Sequence, residues 1–173
     1  MKIRTLVLLL LTAATLPVLA QPLRPGLPSA DAASRPAGLL ELASYPRADL
    51  SIVRVNGARH AFRVWVADTS ERQMQGLMFV RDLPADEGML FVHERPRVAN
   101  MWMKNTFVPL DMLFIDARGR IVTIIENTTP HSLDTLSSGR PVLGVLELRG
   151  GEVARRGIRT GDRVVHAAFR GRR

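Results

Sequence analysis

The sequence predicts a mostly β domain of the α+β class, a compact antiparallel barrel or two packed sheets carrying two short helices. Three observations predict it. Many short apolar runs lie between residues 49 and 170, several with strand-like alternation, as where Phe62, Val64 and Val66 alternate with Arg63 and Trp65. Turn formers such as Asn56-Gly57, Ala117-Arg118-Gly119 and Gly161-Asp162 stand between them at hairpin distances. Helix signals occur only around residues 70–76 and 152–156, and neither stretch exceeds about two turns.

Ahead of this domain the composition differs. Lys2 and Arg4 make a basic start, Leu6 to Leu19 a mostly apolar stretch, and Val18-Leu19-Ala20 a small-residue cleavage site, so residues 1–20 are expected to be a signal peptide and the mature chain to begin at Gln21. The apolar stretch is shorter than the ~20 residues of a spanning helix, so stable membrane insertion after cleavage is not expected. The expected location is periplasmic or secreted. The chain has no cysteine, which removes lipid attachment at the new N-terminus, disulfides and thiolate metal sites. An exported fold without disulfides must rest on its core, and about 120 residues suffice for that. Residues 21–48 hold five of the eleven prolines and no periodicity, which predicts a disordered linker. Leu39-Leu40-Glu41-Leu42 is able to dock on the domain, although nothing requires it.

Within the domain, Ile52 to Val55 and Ala61 to Ala67 form an expected hairpin about Asn56-Gly57, a pair that tolerates the positive φ of a type I′ turn. Trp65 either caps the outer face of its strand or marks a second buried layer. Ser70 and Gln73 stand at capping-box spacing and Gly76 suits the helix end, with Met74, Leu77 and Met78 as the buried side. After a turn at 83–88 come a strand Met89 to Val92, a turn at 93–96 and an extended return over Val98 to Lys104. Asn105-Thr106 breaks it. Leu110 to Asp116 and Arg120 to Glu126 are the next strands, with Val108-Pro109 where a missing donor costs least. Residues 127–140 form a polar stretch long enough to be a candidate lid or binding loop. Val142 to Leu148 is a strand, Glu152 to Arg156 a helical turn stopped by Gly157, and Val164 to Phe169 the last strand.

The formal net charge of +8 suggests nucleic acid only until it is located. Lys2 and Arg4 leave with the leader, and residues 149–173 set eight arginines against Glu152 and Asp162, so the body between them is balanced. A neutral body with a basic end, finishing in the tail 171–173, lacks the groove-wide field of a nucleic-acid binder. Solvated surface is the expectation for that end, with an anionic envelope surface as the lesser one.

The run Asn100 to Asp116 concentrates unusual residues. Arginine serves as the cation almost everywhere, while lysine occurs only at Lys2 and Lys104, as it would if position 104 needed a compact ammonium. On an extended strand Lys104 shares a face with Trp102 and Asn100. Asp111 and Glu147 each sit between apolar neighbours, and a carboxylate there is paired or costs several kcal/mol. Lys104 is the expected partner, in a polar cluster with Asn105, Asp111 and Glu147 under the long loop. Glu126, at the end of its run, is expected to face water.

Six methionines lie between Met74 and Met112, and Met101-Trp102-Met103 puts two sulfurs on one strand face, a pattern open to Cu(I). Methionine is also an adaptable core filler, and no histidine stands at ligand spacing, so packing is the preferred reading. No nucleophile elbow, zinc-helix pair or phosphate loop is present. His131 lies near Ser132 and Asp134, but adjacent loop residues rarely assemble a triad. The least implausible enzyme is a hydrolase using the carboxylates Asp111 and Glu147.

Gly76-Leu77-Met78-Phe79, Gly88-Met89-Leu90-Phe91, Trp102-Met103-Lys104-Asn105-Thr106 with Pro109-Leu110-Asp111, Leu146-Glu147-Leu148, and Gly157-Ile158 with Gly161-Asp162 follow one another over residues 50–168. In order and spacing this resembles domain-of-unknown-function family 192, also called uncharacterised protein family 0127. The resemblance implies a compact β-rich domain, often exported, and carries no catalytic residue, substrate or cofactor. Met101 departs from it where an aromatic is common, and Arg149-Gly150 where a more neutral pair is expected.

The reading is an exported, monomeric, single-domain module that binds a small ligand or an envelope partner without catalysis. Its expected site is Trp102, Lys104, Asn105, Asp111 and Glu147, with His131 in the loop above. No cofactor, no metal and no nucleic acid are expected. The alternatives are the carboxylate hydrolase and, less favoured, methionine-based Cu(I) binding.

Overall fold

The computed structural model describes residues 38–170. The chain divides into two units, Met1–Ser34 and Arg35–Arg173, and all described residues lie in the second. The expected signal peptide, the linker as far as residue 37, and the tail 171–173 lie outside the described residues. No helix among the described residues is long and apolar enough to cross a membrane.

Seven strands form one sheet in the order β5-β4-β6-β3-β2-β1-β7. They are β1 (Arg47–Val53), β2 (Arg59–Ala67), β3 (Glu87–Met101), β4 (Leu110–Ile115), β5 (Ile121–Ile125), β6 (Leu136–Arg149) and β7 (Arg163–Val165), with α1 (Ser70–Gln75) between β2 and β3 and α2 (Glu152–Arg156) between β6 and β7. The sheet curls until its edges meet at one end. There the Ile121 N–H donates to the Asp162 carbonyl (3.0 Å), the Gly161 N–H to the Ile121 carbonyl (2.8 Å) and the Val164 N–H to the Gly119 carbonyl (2.8 Å). The result is a half-barrel, the barrel branch of the expectation rather than two stacked sheets. All strand pairs are antiparallel except β2 with β3. That parallel pair corrects the all-antiparallel expectation: α1 carries the chain over the sheet, and a crossover of this kind returns the next strand in the same direction.

Each face of the sheet buries its own core. Leu50 and Val164 from one side of the curl meet Leu113, Ile121 and Leu146 from the other, so this cluster fills the concave side, with Phe169 against it. Met89, Phe91, Met112, Phe114 and Val145 belong to the opposite face, covered by Tyr45, Leu77, Leu83 and Met103. Trp65 packs against this second cluster, which settles it as a second layer. Every residue of β4 is buried, as a strand covered on both sides requires.

Several local expectations change. The hairpin turn is a three-residue loop, Val55-Asn56-Gly57, not a two-residue type I′ turn: the Gly57 N–H donates to the Arg54 carbonyl, the Arg54 N–H to the Ala58 carbonyl, and only Gly57 has positive φ, +87°. The N-cap of α1 is Thr69, whose hydroxyl accepts from the Arg72 N–H; Gln73 is drawn away to the carbonyls of Ala67 and Val92 and forms no capping box. The expected turn at 93–96 is a bulge inside one long β3, because Val92 pairs with Gly144 and Arg97 with Val142. Residues 136–140, expected in the long loop, begin β6 instead, where Leu136 and Ser137 pair with Met101 and Asn100. β7 stops at Val165, and Ala167–Phe169 is a 3₁₀ turn capped by the His166 ring.

The domain also starts earlier than its linker expectation. The Leu40 N–H donates to Gln75 Oε1 (2.6 Å), the Gln75 amide returns a bond to the Leu40 carbonyl (2.7 Å), and Tyr45 is buried. Docking of this stretch satisfies the buried Gln75, a demand invisible in the local sequence.

Candidate functional site

β6 places Glu147 on the outer face of the sheet, opposite Met89 on one side and Met112 on the other. Above it, α1 ends at Gly76, whose φ of +52° turns the chain so that Leu77 and Met78 follow back over the sheet. β3 arrives alongside and ends at Met101. A narrow cleft is left between them, lined by Met74, Gln75, Met78, Met101, Trp102, Lys104, Thr106 and Glu147.

Glu147 is only 4% exposed, and no hydrogen bond or ion pair engages its carboxyl among the described residues. Burial alone pushes that carboxyl up to about 8. It is therefore mostly protonated at neutral pH, a donor and acceptor without partners. Lys104 lines the same cleft but does not neutralise it: its Nζ stands 5.3 Å from the centre of the Trp102 ring. Trp102 and Met74 are 48% and 71% exposed, and so form an apolar rim.

The structure brings Trp102, Lys104 and Glu147 together and removes Asp111 and His131 from their company. Asp111 is fully buried on the concave side, where it accepts the N–H groups of Asn127 (2.8 Å), Gly151 (3.1 Å) and Val153 (2.8 Å). The expected Lys104–Asp111 pair is thus absent: the backbone saturates Asp111 and fastens the start of α2 to β4. The hydrolase pair is equally absent, since the two carboxylates leave opposite faces of the sheet.

Asn105 acts beside the cleft rather than in it. Its φ of +55° closes the turn after Met103, and its carbonyl accepts the Phe79 N–H (2.9 Å) while its amide nitrogen lies 4.0 Å from Met78 Sδ. His131 is exposed, with φ +62°, and its ring sits edge-on to Phe107 with centroids 4.8 Å apart. The Ser132 hydroxyl donates to the Asp134 carboxylate, and among the described residues neither side chain bonds to His131, so no triad forms. The loop itself is pinned, not a free lid: Ser132 accepts from the Met103 N–H, and Thr128 bonds Leu110 through both its backbone and its hydroxyl.

The methionines separate into two groups. Met89, Met103 and Met112 are fully buried, as core packing predicts, and Met103 Sδ accepts from the Thr128 hydroxyl at 3.1 Å. Met74, Met78 and Met101 line the cleft, which corrects the expectation that Met74 is buried. Among the described residues no group of three His, Cys, Asp or Glu side chains is placed to hold a metal ion.

Sequence reasoning missed Met74, Met78 and Thr106 as cleft residues. The motif Gly76-Leu77-Met78 marked that segment, but nothing local joins it to Glu147. It also missed a wider groove of about 550 Å³ between the start of α1 and the bulge of β3, lined by Asp68, Glu71, His93, Glu94, Arg95 and Arg97. His93 is buried there, and burial ahead of the nearby Arg97 charge lowers it to about 4. Arg97 has only donors to offer, so Nδ1 accepts (3.3 Å) and Nε2 carries the proton with no partner. The groove's open, mixed-charge walls lack the apolar lining typical of a ligand pocket.

Comparison with known proteins agrees with this architecture. The family model DUF192, described as "Uncharacterized ACR", matches residues 51–166. The crystal structure of a proposed transcription regulator from Sinorhizobium meliloti 1021 is 43% identical, with 72% of this chain and 97% of that chain covered at a TM-score of 0.71. A protein of unknown function from Novosphingobium aromaticivorans DSM 12444 is 37% identical, with 82% and 100% covered at a TM-score of 0.70. No curated protein matches.

Proposed function

The chain belongs to DUF192, a family of uncharacterised proteins, and on that premise we propose that it is an exported, non-enzymatic binding module that seats one small group over Glu147. The observation that carries this reading is a buried carboxyl with nothing bonded to it. The carboxyl faces the cleft, so a bound group there completes its bonding. Strongly shifted carboxyls in clefts are also where function concentrates.

Magnitude restricts what enters. The cleft offers about 20 Å³, room for one water or one ion, whereas organic ligands occupy pockets of roughly 300–1,000 Å³. The occupant is therefore an ion, or a single projecting group whose remainder rests on Trp102 and Met74 outside. Export rests on the leader-like residues 1–20. The relative described as a proposed transcription regulator does not draw nucleic acid into the reading, because the excess charge of this chain is confined to residues 149–173 and the body before them is balanced. Catalysis has little to work with once Asp111 is committed to backbone.

The reading is tested by carboxyl NMR of Glu147 across a pH titration, with indole fluorescence of Trp102 in a Trp65→Phe background followed against exported extract fractions. A midpoint near 8 and a fraction that perturbs Trp102 in the native chain but not in Glu147→Leu are expected. A Glu147 that titrates like a solvated carboxyl refutes the reading.

A further inference from the structure

Three of the six methionines beyond the initiator are fully buried and the other three line a cleft. Core packing accounts for Met89, Met103 and Met112, which are fully buried. Met74, Met78 and Met101 come from α1, from the turn that follows it and from the end of β3 to line one cleft, Met101 packing against the outer core as well. Met74 is 71% exposed although the helix pattern puts it on the buried side.

We propose that this cleft binds a thiophilic monovalent cation, Cu(I), through the thioethers of Met74, Met78 and Met101, with the Glu147 carboxylate beneath as the compensating charge. This rests on the reading of the Glu147 cleft as a binding site and names its occupant. Thioethers are soft ligands that select Cu(I) over the harder divalent ions. The size of the cleft, about 20 Å³, suits an ion and rejects an organic body.

Glu147 adds an independent argument. Its buried carboxyl has no partner among the described residues, and a carboxylate there balances the charge of a cation. Cu(I) then enters beside a carboxylate that balances its charge, and no electron moves. Lys104 does not occupy the place, since its ammonium stands over the Trp102 ring. The indole face attracts cations generally, so it is able to hold Lys104 while the sulfurs hold the metal.

The test is an anaerobic titration of the purified chain with Cu(I) against a coloured Cu(I) chelator, repeated with Ag(I) as a redox-inert probe, while the methionine methyl resonances are followed. One equivalent is expected to bind, to shift the methyl signals of Met74, Met78 and Met101 more than those of Met89, Met103 and Met112, and to bind more weakly in Glu147→Gln. Met74→Leu and Met101→Leu, which conserve volume at accessible positions, are each expected to weaken binding by at least about tenfold. Absence of binding, or affinity unchanged in both leucine variants, overturns the inference. If an extract fraction still perturbs Trp102 in that case, and not in Glu147→Leu, the cleft remains a binding site for another group; if none does, both readings fall.

Discussion

Asp111 and Glu147 lie on neighbouring strands and face opposite ways. In the β4–β6 ladder Asp111 stands opposite Leu148, and Met112 opposite Glu147. One step along a strand reverses the face, so a single register position separates a carboxylate buried in backbone N–H groups from one buried with none. The two acids look equivalent in sequence, each between apolar neighbours, and the ladder gives them different work.

Asp111→Ala is expected to destabilise the domain by about 3–5 kcal/mol, because the buried Val153 N–H and the part-buried Asn127 and Gly151 N–H groups lose their acceptor at once. Asp111→Asn retains one acceptor oxygen and is expected to lose less. Urea unfolding of both variants measures this. A loss below about 1 kcal/mol for alanine contradicts the role assigned to Asp111 in holding the start of α2.

Glu147 makes stability depend on pH in the opposite sense to a paired carboxylate. Folded, it keeps its proton up to about 8; unfolded, it loses it near 4.5. Between these values the folded state binds more protons, so stability falls as pH rises and levels off above 8. At ~1.4 kcal/mol per unit the whole fall is several kcal/mol. His93 opposes it lower down: held neutral until about 4 when folded and ordinarily titrating at 6.5, it makes stability rise with pH across that window. Urea midpoints are therefore expected to change little from about 4.5 to 6.5 and to decline from 6.5 to 8, and Glu147→Gln to abolish the decline and uncover a rise up to 6.5.

Much of this was legible locally, and what was not depended on partners distant in sequence. The run Leu110 to Ile115 is a strand in both readings, because its apolar residues and flanking turns suffice to define it. Glu152 to Arg156 is a helix in both for the same kind of reason, with Gly157 stopping it at φ +62°. Trp102, Lys104 and Glu147 line one cleft, while Asp111 faces the other way, since which acid meets Lys104 is decided by register and register is set by the whole sheet. Met74 misled because helical periodicity names a buried face only where something covers it. The docking of Leu40 was unreadable because its cause, the Gln75 amide, lies on another element.

The cap of α1 separates two neighbouring hydroxyls. Thr69 accepts the Arg72 N–H and Ser70 does not cap. Thr69→Ala is expected to cost about 1 kcal/mol, and Ser70→Ala, at an exposed first helical position, to stay within about 0.5 kcal/mol. Thermal or urea unfolding of the pair checks this, and equal losses contradict the assignment.

Gly88 is where the cleft and the sheet depend on each other. A Cβ there would lie 2.4 Å from the backbone oxygen of Glu147 and 2.9 Å from a Leu148 methyl, so any side chain must push β6 away from β3. The β3–β6 ladder is the seam that carries Glu147 beneath the cleft and Leu146 and Leu148 into the concave core. Overpacking typically costs about 1–3 kcal/mol, and a clash with backbone leaves no side chain to yield, so Gly88→Ala is expected at or above the upper end. Gly57→Ala, at the hairpin tip, is the control: its Cβ would meet nothing, and its cost arises only from the positive φ. Amide exchange then distinguishes the two, since Gly88→Ala is expected to lower protection along Val145 to Leu148 and Gly57→Ala to leave that strand protected. If both variants lose protection equally, the close approach of β3 to β6 is not what holds Glu147 in place.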